Sequence, residues 1–223
     1  MMTSYQSGTT SLHLRPDEIE AYSFRIIDNE AGTHGWSGQE WQIVRRAIHT
    51  SADFEYVQSM VISDYAVETA IEALKNGVGI VTDTTMAQSG ISKARLAGFG
   101  CTVTCHIADA DVAESAQREG ITRSVAAMRK AVSIPANRIF VIGNAPTALF
   151  ELLRLMNEDK ANPALIVGLP VGFVGAEESK NALAATHHTV PFITNMGRKG
   201  GSNVAAAVIN ALAILAGEHN DAP

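Results

Sequence analysis

His49 closes a segment with a helical apolar stripe, and Arg45 and Arg46 precede it within about one turn. An imidazole exchanges a proton near neutrality, while guanidinium forks hold carboxylates or phosphates. The helix end and Asp53 favour an imidazolium there and Arg45 opposes it, so the sequence leaves the balance open. The plainer reading of His49 is a surface or capping residue. Its two arginine neighbours are what could bring a polyanion to the ring. A second cationic group, Arg198-Lys199-Gly200-Gly201-Ser202-Asn203, stands just before an apolar helix. Two cations, two glycines and a helix start together suit a carboxylate or a phosphate. Arg123 marks a helix restart, with surface ion pairing as its ordinary role. Ser23 interrupts the apolar stripe Ile19, Tyr22, Ile26 and Ile27, either bonding its own backbone or facing a site.

Other clusters carry less chemistry. His106, Asp109 and Asp111 do not have the spacing of a standard metal-ligand set. Cys101 and Cys105 fall on one face of an expected strand, too far apart for a disulfide, and read as buried, inert thiols. His187 and His188 read as an exposed loop pair.

The stretch from Arg138 to Lys180 shows how such residues are positioned. Ile139 to Ile142 is a short β-branched run ended by Gly143, as a buried strand should be. Pro146 fits a first helical turn, and Leu149, Leu152, Leu153 and Met156 give that helix one packing face. Ala164 to Val167 is a second strand. A loop with Gly168, Pro170, Gly172, Phe173 and Gly175 follows, then a helix opening at Glu177 to Lys180. Both loops run from strand to helix, so both should lie at the carboxyl ends of parallel strands with free N–H groups facing one edge.

The same grammar covers the rest. Pro16–Glu30 and Gly38–Thr50 read as helices, the second opened by a Ser37/Glu40 capping box. Tyr56–Ile62 is ambiguous between strand and helix. Asp64–Lys75 is helical, Gly79–Thr82 a strand, and Gly90 begins a short helix. Thr102–Ile107 is a strand, and Asp111–Val132 is a helix broken near Gly120. Val190–Thr194 is a strand, and Val204–Ala216 an apolar helix fit for burial under the sheet or in a dimer interface. About five strands alternate with helices. The expected fold class is α/β: a Rossmann-like, mainly parallel sheet flanked by helices, in a single domain with an N-terminal helical segment. Residues 1–15 read as a flexible leader, 16–217 as the domain and 218–223 as a tail.

Composition narrows the function. The chain has 223 residues, a net charge of −6 and 46% hydrophobic residues. That suits one α/β domain with a full core and weighs against a general nucleic-acid binder. No secretory signal opens the sequence, and the Val204–Ala216 run is too short to span a bilayer. Two cysteines and no signal fit the cytoplasm. Neither a dinucleotide glycine fingerprint, nor a phosphate-loop motif, nor a nucleophile elbow occurs, so a nucleotide-dependent enzyme is disfavoured.

Three segments, Gly143–Leu149 (GNAPTAL), Gly168–Lys180 (GLPVGFVGAEESK) and Arg198–Ser202 (RKGGS), resemble in this order the precorrin-8X methylmutase family. Ile19–Ile27, Arg46–His49, Asp83–Leu96 and Thr122-Arg123-Ser124 fit the same pattern, so the resemblance covers about residues 16–216. It implies a Rossmann-like homodimer that moves one methyl group between adjacent carbons, eleven to twelve, of corrinoid ring C. The substrate is precorrin-8X or cobalt-precorrin-8, the product hydrogenobyrinate or cobyrinate, and the step an acid-assisted 1,5-sigmatropic shift. No organic cofactor and no resident metal are implied. The family histidine falls on His49, as general acid. Family substrate contacts fall on Ser23, Ser92, Arg123 and Arg198, joined by Asn144, Gly200 and Gly201 of the matched motifs. Ser92 stands where some relatives have Thr, and Lys199 receives no catalytic role. Expected partners are the polycarboxylate macrocycle, a second copy and, transiently, neighbouring pathway enzymes, with no nucleic acid and no membrane. The alternative is a corrinoid carrier without catalysis, which would need no acid.

Overall fold

The computed structural model describes residues 15–186 and 190–218. Of the expected leader only Arg15 is described, of the expected tail only Glu218; His187 and His188 lie outside the described residues. In chain order the elements are α1 (Pro16–Ala31), α2 (Gly38–Ser51), α3 (Tyr56–Ser59), β1 (Met60–Ile62), α4 (Ala66–Lys75) and β2 (Gly79–Thr82). Then come α5 (Thr85–Gly90), α6 (Lys93–Ala97), β3 (Thr102–Cys105), α7 (Ala110–Glu119), α8 (Arg123–Val132) and β4 (Asn137–Ile142). The chain closes with α9 (Pro146–Asn157), β5 (Leu165–Gly168), α10 (Ala176–Ala184), β6 (Phe192–Asn195) and α11 (Ser202–Glu218).

Among the described residues the sheet has six strands in the order β1-β6-β5-β4-β2-β3. All neighbours are parallel except β1 against β6. The expected mainly parallel α/β architecture is therefore observed, with one strand more than the apolar runs suggested. The extra strand resolves the Tyr56–Ile62 ambiguity, because that segment is one short helix followed by one short strand. Met60–Ile62 is held by pairing with Asn195, Thr194 and Ile193, a tertiary cause that local pattern does not carry.

Helices cover both faces. On one, α1, α2, α4 and α11 bury Phe24, Ile43, Ile48, Leu74, Val208 and Leu212 against Ile80 and Ile139. On the other, Met128, Leu149, Leu152 and Leu183 from α8, α9 and α10 pack on Phe140, Ile166 and Phe192. The alternation follows from the pleat: successive strand residues point to opposite faces, and both faces are apolar. Helix α11 is buried under the sheet, as its sequence suggests. Its Asn210 accepts from the Ser92 N–H at 2.8 Å and donates to the Gly90 carbonyl at 2.9 Å. The one polar side chain in that apolar run thus pins the turn between α5 and α6.

The Ser37 capping box forms as expected. Gly120 ends α7 in the left-handed region, and Thr122 caps α8. One stripe differs from expectation. On α1 it is Phe24 and Ile27 that are buried, while Ile19, Tyr22 and Ile26 stay exposed. Two apolar rows share that helix, and α2 covers only one of them. The acids near His106 also have an ordinary explanation: Lys130 joins Asp109 at 2.8 Å and Asp111 at 2.7 Å, and His106 Nδ1 bonds Asp109 at 2.9 Å. Cys101 donates to the Leu74 carbonyl, and burial pushes its thiol up.

The α8–α9 face has a buried charge. Glu151 is 6% exposed and receives Arg154 at 2.7 Å and Arg129 at 2.6 Å. The Arg154 bond, then that of Arg129, holds its carboxyl below the usual range. A depressed carboxylate stabilises the fold above its unfolded pKa and loses that contribution as pH falls through the folded value. Glu151→Gln should therefore cost about 1–3 kcal/mol near neutrality. In a pH series of thermal melts the gap in Tm from wild type should narrow as pH falls below the ordinary Glu value of about 4.3 and close once it passes the depressed one.

Candidate active site

The carboxyl edge of the sheet collects three loops. The first follows β4. Asp83, just past β2 and 3% exposed, accepts the N–H groups of Gly143 at 3.0 Å, Asn144 at 2.8 Å and Ala145 at 2.7 Å. Burial pushes its carboxyl up, and the three N–H groups pull it back. The N–H groups of the loop that leads into α9 are therefore already taken by a residue of the chain. In an open α/β sheet this crevice between β2 and β4, where strand order reverses, is the usual ligand position. Here Asp83 fills it, and Gly143 lets the α11 start close over it: a Cβ there would lie 2.7 Å from the Ser202 Cα.

The second loop, Leu169–Gly175, carries an apolar tip with Phe173 85% and Val174 89% exposed. The third, Met196–Gly201, packs on it. Gly201 donates to the Leu169 carbonyl at 2.9 Å, and Gly172 donates to the Arg198 carbonyl at 3.2 Å. Gly200 sits at φ +155, where a Cβ would come 2.2 Å from the Leu169 oxygen. Only glycine permits that approach. The Gly201 N–H is thus engaged inside the protein, not bare as the sequence suggested. Arg198 projects outward, its side chain 63% exposed, with Glu177 at 3.9 Å and the Phe173 ring centroid at 5.8 Å.

His49 lies at the C-terminal end of α2. Its exposed ring packs on Phe24, with 4.9 Å between centroids. Ser23 and His49 line one groove of about 240 Å³, together with Ile26, Ile27, Ile48 and Phe54. That is below the roughly 300–1,000 Å³ of a typical small-molecule site, so the groove fits one edge of a large ring. Ser23 Oγ donates to the Ile19 carbonyl at 2.9 Å, the ordinary reading of that serine, and stays at the groove wall.

The two arginines beside His49 do not wait for an anion. Arg45 pairs with Asp28 at 3.2 Å and Arg46 with Glu20 at 3.1 Å. Both guanidinium groups also lie over the Phe24 ring, at 4.4 and 5.0 Å. Their role is to fasten α1 to α2, which sets the groove. The sequence hides this because the acids lie on the preceding helix.

Three contacts tie the histidine end of α2 and the residues just after it to the third loop and the α11 start. Lys199 pairs with Asp53 at 2.5 Å and Glu55 at 2.7 Å, and Asn203 donates to the Thr50 carbonyl at 3.4 Å. The bond from Lys199 holds Asp53 below the usual carboxylate range, so Asp53 is occupied there. Asn144, in the loop before α9, and Arg123, at the α8 start, are exposed at the same edge, across the sheet from His49. The hydroxyls of Thr122 and Thr147, 3.3 Å apart, join those two starts. Ser92 is half-buried at the start of α6, against Asn210 in the middle of α11. The expected residues therefore form one close pair, Ser23 with His49, one neighbouring loop with Arg198, and three more distant positions.

Comparisons with known proteins bear on the whole chain. The family model of precorrin-8X methylmutase matches residues 18–215. A cobalt-precorrin-8 methylmutase of Priestia megaterium is 47% identical over 205 residues, covering 92% of this chain and 90% of its own. One from Salmonella typhimurium is 47% identical over 204 residues, covering 89% and 94%. The crystal structure of a precorrin-8X methyl mutase from Thermus thermophilus superposes with a TM-score of 0.82 at 40% identity, covering 90% of this chain and 98% of that one. With sequence match, coverage of about nine-tenths of the chain and fold in accord, the chain belongs to the precorrin-8X methylmutase family.

Proposed function

We propose that this chain moves one methyl group between adjacent ring-C carbons of a corrinoid, with His49 as general acid. The family is one of methyl-shifting isomerases of cobalamin biosynthesis, and the chain is such an isomerase. The observation that carries the finer reading is the groove shared by Ser23 and His49, its walls mostly apolar with Glu30 the one acid among them. A flat conjugated ring rests against Ile26, Ile27 and Phe54. The imidazole delivers a proton to it, spreading positive charge through the conjugated system and lowering the barrier to migration. One carbon–carbon bond breaks as the next forms, the π electrons shift, and the proton returns to His49. Mass and oxidation state are unchanged, so no co-reactant is consumed.

Peripheral carboxylates of the ring meet Arg198 and Arg123, the two exposed arginines of the expected set. Asn144, Ser92 and Gly200 complete the proposed contacts. Gly201 acts through the shape of its loop, since its N–H is engaged by Leu169. A homodimer is part of the proposal. The row Ile19, Tyr22 and Ile26, 39–49% exposed beside the groove, supports a covering copy, and sedimentation equilibrium should give twice the chain mass. No helix among the described residues is long and apolar enough to cross a membrane, and both cysteines are free. A cytoplasmic location fits those thiols. The product keeps nearly the outline of the substrate, which favours direct hand-over to a neighbouring pathway enzyme.

Two relatives at 47% identity are named for the cobalt-bearing substrate, and the solved structure at 40% for precorrin-8X. Cobalt-precorrin-8 is therefore the first substrate to try, with metal-free precorrin-8X beside it. A change of absorbance to that of the rearranged ring with either one supports the reading. Binding with conversion of neither would overturn it.

A further inference from the structure

Lys180 is a lysine with no exposed surface. It lies on α10, which packs against α9 and β6, and its ammonium reaches two neutral oxygens. These are the Lys199 carbonyl at 2.5 Å and the Asn195 Oδ1 at 3.3 Å. Asn195, also fully buried, turns its amide the other way and donates to the same Lys199 carbonyl at 3.0 Å and to Met196 at 3.1 Å. One carbonyl, in the middle of the third loop, is thus gripped by two buried side chains from beneath.

Burying an ammonium is costly unless it is paired, and among the described residues no carboxylate is bonded to this one. Burial lowers its pKa to about 8, with Glu177 opposing. A methionine would fill the same space without that cost. The placement of the charge suggests what offsets the cost. The gripped residue is flanked by Arg198, which faces outward, and by Gly200, whose backbone lies against Leu169. Its own side chain reaches Asp53 and Glu55 beyond the end of α2. The loop is held from below by Lys180 and Asn195 and from the side by the Lys199 ion pairs.

We propose that Lys180 is a positioning residue for substrate binding: from inside the fold it fixes the Lys199 carbonyl, and thereby the direction in which Arg198 meets a ring carboxylate. The inference rests on the corrinoid-isomerase reading. It assigns Lys180 to binding and leaves proton transfer to His49.

Lys180→Met and Asn195→Ala test it, with steady-state kinetics on the corrinoid that wild type converts and amide hydrogen exchange across residues 196–201. The expected result for Lys180→Met is faster exchange at Gly201 and its neighbours, a rise in KM of about tenfold, and a kcat within about threefold of wild type. Asn195→Ala, which keeps the ammonium, should shift both readouts the same way by less. Unchanged KM, or a loss confined to kcat, in a folded variant overturns the proposal, as does unchanged exchange. If Lys180→Met fails to fold, Asn195→Ala decides by the same criteria. A wild-type protein that converts neither corrinoid would refute the isomerase reading. Conversion by wild type with an unaffected variant would refute only the role of Lys180.

Discussion

His49→Ala should bind the corrinoid within a few-fold of wild type and lose turnover by roughly a hundred- to ten-thousandfold. The ring of His49 is exposed, makes one contact with Phe24, and is flanked by arginines already engaged with Asp28 and Glu20. Its removal therefore leaves the α1–α2 clasp in place, and the melting temperature should hold. The remaining acceleration would come from holding the ring in a reactive shape in an apolar groove. Single-turnover absorbance kinetics beside a binding titration separate the two effects. Loss of affinity with normal turnover of bound substrate would instead make His49 a binding residue.

Asp83→Ala should be the most damaging change away from the groove. Three N–H groups in the loop before α9 would lose one shared acceptor inside the protein. Each buried donor left unsatisfied costs about 1–3 kcal/mol, offset in part because the carboxylate's own burial cost disappears. A net loss of about 2–4 kcal/mol follows, or a fall in Tm of roughly 5–15 °C for a domain of this size. Asp83→Asn keeps only one accepting oxygen and should recover little. Activity should fall as well, because the same crevice seats Gly143 against Ser202 at the α11 start. Thermal melts of both variants check this, and a wild-type Tm would show that the N–H groups find other partners.

Much of the fold is legible in the residues. Strand β2 falls at Gly79–Thr82 as its β-branched run and flanking glycine indicate, and the two helices at Pro16 and Pro146 begin where proline is tolerated. The misses have physical causes. Helix α5 has no place in the sequence pattern, because its start depends on Thr84 accepting the Ala87 N–H. Helix α4 begins after Tyr65, a left-handed residue at φ 60, where pattern alone started it at Asp64. The apolar row Ile19, Tyr22 and Ile26 is a true stripe, but no described element covers it.

The site is legible to a different degree. Its motifs name the family, yet motifs do not say what each polar group holds. Asp83 serves backbone 60 to 62 residues away, and Lys180 serves a carbonyl 19 residues on. In sequence both look like ordinary polar residues at loop or helix starts. Asn210 carried a local signal, a single amide in an apolar helix, and its contacts with Gly90 and Ser92 explain it.

The most direct measurement is carbon NMR of the product formed from a substrate isotopically labelled in the migrating methyl group. The labelled methyl should move to the adjacent ring-C carbon, with the mass unchanged and no label released to solvent or protein. A bound corrinoid whose labelled methyl stays on its original carbon would contradict it.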